Sequence, residues 1–149
     1  MFSTPTVAGD LIIVGSCNGR IHALDKKTGQ VKWNMTFVRT ASKSQFHGDP
    51  LVADDAVVIG TDGTIGHHVY AFDRATGAVR WKYKVEQRGV ASNILRLGRD
   101  IFFVTLGNNE LISLDLQTGQ RNWAFHAAAM KIRFSGRTWL GIMQLSAQV

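Results

Sequence analysis

An eleven-residue pattern, Ala/Ser-x-Asp-x-x-Thr-Gly-x-x-x-Trp, occurs three times in this chain and constrains its fold more than any other feature. The first copy places Asp25, Thr28, Gly29 and Trp33; the second, Asp73, Thr76, Gly77 and Trp81; the third, Asp115, Thr118, Gly119 and Trp123. Self-similarity at a fixed period must be read before any single residue, because each copy is then a supersecondary unit that cannot bury its apolar face alone. Aligning the apolar strands puts Val14, Ile59 and Val104 at 45-residue intervals, and Pro5, Pro50 and Leu95 likewise. The tryptophans step by 48 and then 42, because the second copy carries three extra residues between Ile59 and Asp73. A period near 45 suits a four-stranded propeller blade.

Within a copy the residues read as strands. Thr4 to Val7 is followed by a turn at Ala8 to Asp10, then an apolar strand from Leu11 to Gly15, and Asn18-Gly19 stands where a tight hairpin needs positive φ. Arg20 to Leu24, the turn from Asp25 to Gly29, and Val31 to Phe37 complete the copy and leave no room for a helix. The motif residues acquire structural roles in that layout. A carboxylate ending a strand accepts N–H groups from the following turn, threonine at plus three does the same with its hydroxyl, and glycine at plus four supplies left-handed backbone. A repeated tryptophan on the outermost strand packs between neighbouring sheets with its indole N–H bonded to an acceptor. The expected fold is all-β, a partial propeller of about three four-stranded antiparallel blades over residues 1–37, 38–85 and 86–126. A non-repeat tail follows over 127–149, disordered or with a short helix from Ala127 to Arg133.

These residues resemble the tryptophan-docking repeat of the quinoprotein-like β-propellers, the superfamily of the pyrroloquinoline quinone (PQQ) dehydrogenases. The resemblance covers residues 3 to 125, and two of the three copies satisfy every motif position. It implies one of three activities. The first is a scaffold or binding module, with outer-membrane protein assembly as one setting. The second is a sector of a PQQ-dependent alcohol or sugar dehydrogenase, and the third a sensor propeller attached to a kinase or other effector. In the dehydrogenases the resemblance implies PQQ and calcium on the propeller axis, beside a catalytic aspartate. None of those ligands maps onto a residue here, so PQQ and calcium are expected only if the intact protein is a quinoprotein enzyme. Closed propellers of this superfamily have seven or eight blades, so three form an open arc. The expectation is a portion of a larger propeller, whose partner is another protein or the remaining blades. A periplasmic or envelope location is expected if an export signal precedes the chain.

Composition narrows the alternatives. The formal charge of +6 comes from 17 basic and 11 acidic residues, but the basic residues are scattered, so no nucleic-acid surface is expected. No apolar run approaches the roughly 20 residues of a membrane span. Cys17 is the only cysteine, which excludes an intrachain disulfide and a Cys-x-x-Cys metal pair. No nucleophile elbow, phosphate loop or catalytic carboxylate pair occurs, so no catalytic or metal residue is assigned. Candidate ligand or partner contacts remain in the lengthened loop of the second copy, at Asp62, His67 and His68, and at His47 with Asp49 before Pro50. Neighbouring imidazoles on a strand point to opposite faces, which argues against one ion held by both His67 and His68.

Overall fold

The computed structural model describes residues 3–37, 45–62, 67–86, 88–90 and 92–126. They form twelve strands and, among the described residues, no helix. Blade 1 comprises β1 (Thr6–Ala8), β2 (Leu11–Ser16), β3 (Arg20–Asp25) and β4 (Val31–Thr36). Blade 2 comprises β5 (Leu51–Ala53), β6 (Ala56–Gly60), β7 (His68–Asp73) and β8 (Val79–Lys84). Blade 3 comprises β9 (Leu95–Leu97), β10 (Asp100–Val104), β11 (Glu110–Asp115) and β12 (Arg121–His126). Each blade is an antiparallel meander in chain order, and β1, β5 and β9 lie side by side as the inner strands. The all-β propeller arc expected from the repeat is therefore the fold. The tail at 127–149, with its proposed helix, lies outside the described residues, as do residues 63–66 of the second-copy insertion and 38–44 of the first inter-blade connection.

The pairing register corrects the sequence alignment in the third copy. Ile13 pairs with Ala23 and Val58 with Ala71, but the corresponding partner of Ser113 is Phe102. Phe103, and not Val104, is thus the counterpart of Ile59, and the second interval is 44 residues. Phe102, Phe103 and Val104 are all apolar, so a period-two pattern cannot place the register there. The inner strand also begins at Thr6 and not at Thr4, because the Thr4 N–H donates to Asp49 Oδ1 (2.7 Å) in the neighbouring blade.

The three motif turns are superimposable in their bonding. Asp25 Oδ1 accepts the N–H groups of Lys27 and Thr28 and the Thr28 hydroxyl, at 3.0, 2.9 and 3.1 Å. Asp73 receives Ala75 and Thr76 in the same way, and Asp115 receives Gln117 and Thr118. The N–H of the following glycine donates to the aspartate carbonyl in every copy. These bonds hold the carboxylates below their usual range, Asp25 and Asp115 chiefly through the threonine N–H. Asp73 falls to about 2, chiefly because Arg80 bonds its side chain as well.

The glycines Gly29, Gly77 and Gly119 sit at φ +71°, +75° and +69°. Their lack of a side chain serves the neighbouring blade. Trp33 of blade 1 lies over Gly77 of blade 2, where an added β-carbon would come within 2.7 Å of the indole ring, and its N–H donates to the Arg74 carbonyl at 2.9 Å. Trp81 of blade 2 lies over Gly119 of blade 3 at a corresponding 2.5 Å and donates to the Leu116 carbonyl at 2.8 Å.

The hydrophobic cores lie between blades and not within them. Ile13, Ile21, Ala23 and Trp33 of blade 1 close on Val57, Ile59 and Phe72 of blade 2. Val58, Val69 and Ala71 of blade 2 close on Ile101, Phe103, Ile112 and Leu114 of blade 3. A blade is one sheet thick, so alternate residues along each strand serve the two adjacent interfaces.

Two predictions follow from these turns. Gly29→Ala meets only backbone strain and is expected to cost about 1–2 kcal/mol. Gly77→Ala and Gly119→Ala add displacement of an indole, for about 1–3 kcal/mol more, measurable by urea unfolding. Asp73 binds its proton more weakly folded than unfolded, so its contribution to stability is complete above about pH 4 and is lost as pH falls toward about 2. Arg80→Gln should move the Asp73 carboxyl resonance titration upward toward the ordinary aspartate value.

Candidate functional site

The connections between blades and the β6–β7 loop gather at one end of the arc, opposite the motif turns. Asp62 stands at the centre of that end. Its backbone pairs with Gln45 from the first inter-blade connection, each N–H donating to the other carbonyl at 3.0 and 2.8 Å. On its other side it bridges to Gly89 of the second connection, and the Val90 N–H donates to the Thr61 carbonyl at 3.0 Å. The lengthened loop of blade 2 is thus stitched to the segments leading into and out of the blade. Thr61 closes its base: its N–H and its hydroxyl both meet the His68 carbonyl, and the hydroxyl oxygen accepts the His68 N–H.

The side chains here pair differently from the sequence expectation. His47 does not pair with Asp49; its Nδ1–H donates to Asp62 Oδ2 at 2.8 Å. Asp49 accepts from the Thr4 N–H of blade 1 and, at 3.2 Å, from the Asn93 amide ahead of blade 3, while its own N–H donates to Asn93 Oδ1 at 2.9 Å. Thr4, Asp49 and Asn93 make a belt across the starts of the three inner strands. The Asp49 carboxylate works as an inter-blade clip. A second clip lies lower, where Arg96 of blade 3 forks both guanidinium nitrogens onto Asp54 of blade 2 at 3.0 and 2.8 Å.

His67 and His68 separate as strand alternation demands. His67 is buried, while His68 is half-buried with its ring against Tyr70 at 5.4 Å between centroids. Gly89, at φ +83°, fits over Thr61 and His67: a β-carbon there would stand 2.3 Å from the Thr61 carbonyl and 3.0 Å from the His67 side chain. Two buried polar atoms at this junction, His67 Nδ1 and Asp62 Oδ1, have no hydrogen-bond partner among the described residues. Burial holds the His67 imidazole below its ordinary pKa; the Asp62 charge opposes that effect and His68 adds to it. The neutral ring is the form the fold favours. Cys17 is half-buried in the β2–β3 connection.

The residues that sequence reasoning missed are Gln45, Gly89 and Asn93. Each belongs to a connection whose partners lie 17 to 44 positions away in the chain, and no local pattern marks them. A calcium ion beside PQQ needs several carboxylate and amide oxygens converging on one point. The mouth offers Asp62, tied to His47, and Asp49, tied to Thr4 and Asn93; the three motif aspartates are saturated by their own turns at the opposite end of the strands. Among the described residues no group of three or more His, Cys, Asp or Glu side chains is placed to hold a metal ion. This donor set does not fit the PQQ–calcium pair.

A family model described as outer membrane protein assembly factor BamB matches residues 2–133. The chain is 27% identical over 128 residues to the outer membrane protein assembly factor BamB of Legionella pneumophila (strain Paris), covering 81% of this chain and 31% of that protein. It is 35% identical over 78 residues to the quinohemoprotein alcohol dehydrogenase ADH IIB of Pseudomonas putida, covering 50% of this chain and 11% of that protein. Among solved structures, BamB from Moraxella catarrhalis superimposes with a TM-score of 0.67 at 20% identity, covering 83% of this chain and 36% of that one. A europium-containing methanol dehydrogenase superimposes with a TM-score of 0.74 at 18% identity, covering 82% and 31%. At such identities the structural likenesses establish the fold alone. The chain spans about a third of the length of the BamB proteins it matches.

The neutral preference of His67 makes a signed prediction. A lowered folded pKa means that the unfolded chain takes up the proton first, so stability is complete above the ordinary histidine value of about 6.5 and falls as pH drops below it. The urea midpoint should decline between pH 7.5 and 5.5, and His67→Gln should flatten that decline.

Proposed function

The chain belongs to the family of the outer membrane protein assembly factor BamB, and on that premise we propose that it forms a sector of a β-propeller scaffold that binds protein partners in outer-membrane protein assembly. The family match over residues 2–133 carries this reading. The use of the polar residues supports it. His47, Asp49 and Asp62, which sequence reasoning offered as ligand contacts, hold connections and inner strands together; with them, the buried His67 is packed beneath Gly89. What the arc offers outward is its outer strands, where Val31 on β4 and Val79 on β8 are exposed. Large exposed side chains of this kind on a rigid scaffold suit protein contact. The site of action in this reading is the bacterial cell envelope, where the assembly of outer-membrane proteins takes place. No helix among the described residues is long and apolar enough to cross a membrane.

The dehydrogenase reading ranks second. The 35% identity to a quinohemoprotein alcohol dehydrogenase favours it, and the donor set at the mouth of the arc opposes it. The shared motif contributes to blade docking and supplies no oxygen ligands to an axial site, so that identity records a common scaffold.

Deleting the gene in its bacterium should lower the amount of folded outer-membrane β-barrel proteins, and restoring the wild-type gene should recover it. Unchanged barrel levels, together with dye reduction by the purified protein on addition of PQQ, calcium and an alcohol, would establish the second reading and sink the first.

A further inference from the structure

The two joints between blades differ at the outer rim, beside β4 and β8. Phe37 lies four residues past Trp33 as Val85 lies four past Trp81, and Tyr70 stands three before Asp73 as Ile112 stands three before Asp115. The strand register then makes Lys82 and Lys84 of β8 equivalent to Ala124 and His126 of β12. At the second joint this rim is sealed, with Val85 2% and Ile112 3% exposed. At the first, Phe37 and Tyr70 meet with ring centroids 4.6 Å apart and both stay half-buried. Both walls of that groove belong to blades 1 and 2.

The groove is cationic. Lys82 stands directly across from Tyr70 and Lys84 across from His68, and Phe72 on the same face of β7 belongs to the core shared with blade 1. Both exposed lysines therefore lie on the side of blade 2 that faces the groove. Among the described residues Lys82 has no ion pair. Lys84 meets Glu86 at 3.3 Å, but both side chains are 71% exposed, and such a pair yields readily to another carboxylate. Residues 38–44, which follow Phe37 in the chain, include Arg39 and Lys43 and no acidic residue, so they supply no counter-charge.

The strand that carries these lysines is also an edge, since β8 pairs with β7 on one side only. Its free side presents backbone donors and acceptors that a polypeptide strand can pair in series. Lysine on an edge ordinarily blocks such pairing, because a neutral strand would strip water from the ammonium. Carboxylates at alternate positions of an incoming strand remove that penalty. Charge and backbone select the same occupant.

We propose that the rim between blades 1 and 2 binds an extended acidic segment of a partner protein, which lies along the free edge of β8, pairs its carboxylates with Lys82 and Lys84 and closes over the half-buried Phe37 and Tyr70. This deepens, and rests on, the reading of the chain as a protein-binding scaffold. Its failure would leave that reading standing, because the levels of outer-membrane barrels are measured separately.

A short fluorescent peptide alternating glutamate with threonine is the probe, and its anisotropy on titration with the full chain reports affinity. Replacing its glutamates by lysine tests charge; replacing its threonines by proline tests strand pairing, since proline has no N–H to donate. The wild type should bind the acidic peptide and prefer it to both of the others. Lys82→Glu combined with Lys84→Glu should weaken binding by about tenfold, the effect of losing two exposed ion pairs and adding repulsion. Lys27→Glu combined with Arg121→Glu, the same change of net charge at exposed positions elsewhere, should leave affinity within about twofold. Near-ultraviolet circular dichroism establishes that both double variants are folded. No binding of the acidic peptide, equal binding of the lysine or proline version, equal losses in the two double variants, or equally tight binding of a single-stranded oligonucleotide would each overturn the proposal.

Discussion

The arc depends on one contact, an indole laid flat over a glycine in the next sheet. The contact is directional at both ends. The ring needs a residue without a β-carbon beneath it, and the N–H needs a carbonyl at a set distance along the turn; Gly77 with Arg74 and Gly119 with Leu116 supply both. The glycine can stand there only because the preceding aspartate and threonine hold a turn with left-handed backbone at its end. Four motif residues in two blades, with one backbone carbonyl, therefore act as one unit. A loss at Asp73 would disturb a turn in blade 2 and also the seat of a tryptophan from blade 1. The core follows from the same joint, since a sheet one layer thick can bury its side chains only against a neighbour held at the right spacing.

Local rules made the repeat legible and marked where that legibility ended. Asp, Thr and Gly at fixed offsets encode a turn whose bonds span five residues or fewer, so their spacing alone carries the structure. The tryptophan partners, more than thirty positions away, were legible for a different reason: a residue recurring at one place in every repeat must serve the interface that every repeat shares. The mouth of the arc has neither advantage. His47 meets Asp62 and Asp49 meets Asn93 through connections that differ in length and composition between repeats. Proximity in sequence suggested His47 with Asp49, and folding separated them, whereas strand alternation already set His67 and His68 on different faces. The register slip in the third copy arose from three consecutive apolar residues, Phe102 to Val104, for which alternation offers no phase.

The junction around Asp62 shows how a lengthened loop is tied to a repeat scaffold. Backbone pairing to Gln45 on one side and to Gly89 on the other turns the insertion into a bracket across two connections. The cost is local: one carboxylate oxygen and one imidazole nitrogen are buried without partners among the described residues. The His47 bond offsets part of that cost by engaging the other Asp62 oxygen. Gly89 then becomes obligatory, because the carbonyl of Thr61 and the His67 side chain leave no room for a β-carbon.

The likeness to both assembly factors and dehydrogenases has a physical explanation in this division of labour. The motif fixes blade spacing at the turn end of the strands, whereas an axial cofactor would be met by inner strands and connections at the other end. The strands between are up to six residues long, roughly 20 Å, so the two ends can vary independently. A docking repeat can persist while the mouth changes from a set of converging oxygen ligands to the mutual clips seen here, Thr4 to Asp49 to Asn93 and His47 to Asp62. Those side chains, occupied with one another, hold the connections and the inner strands of the three blades together.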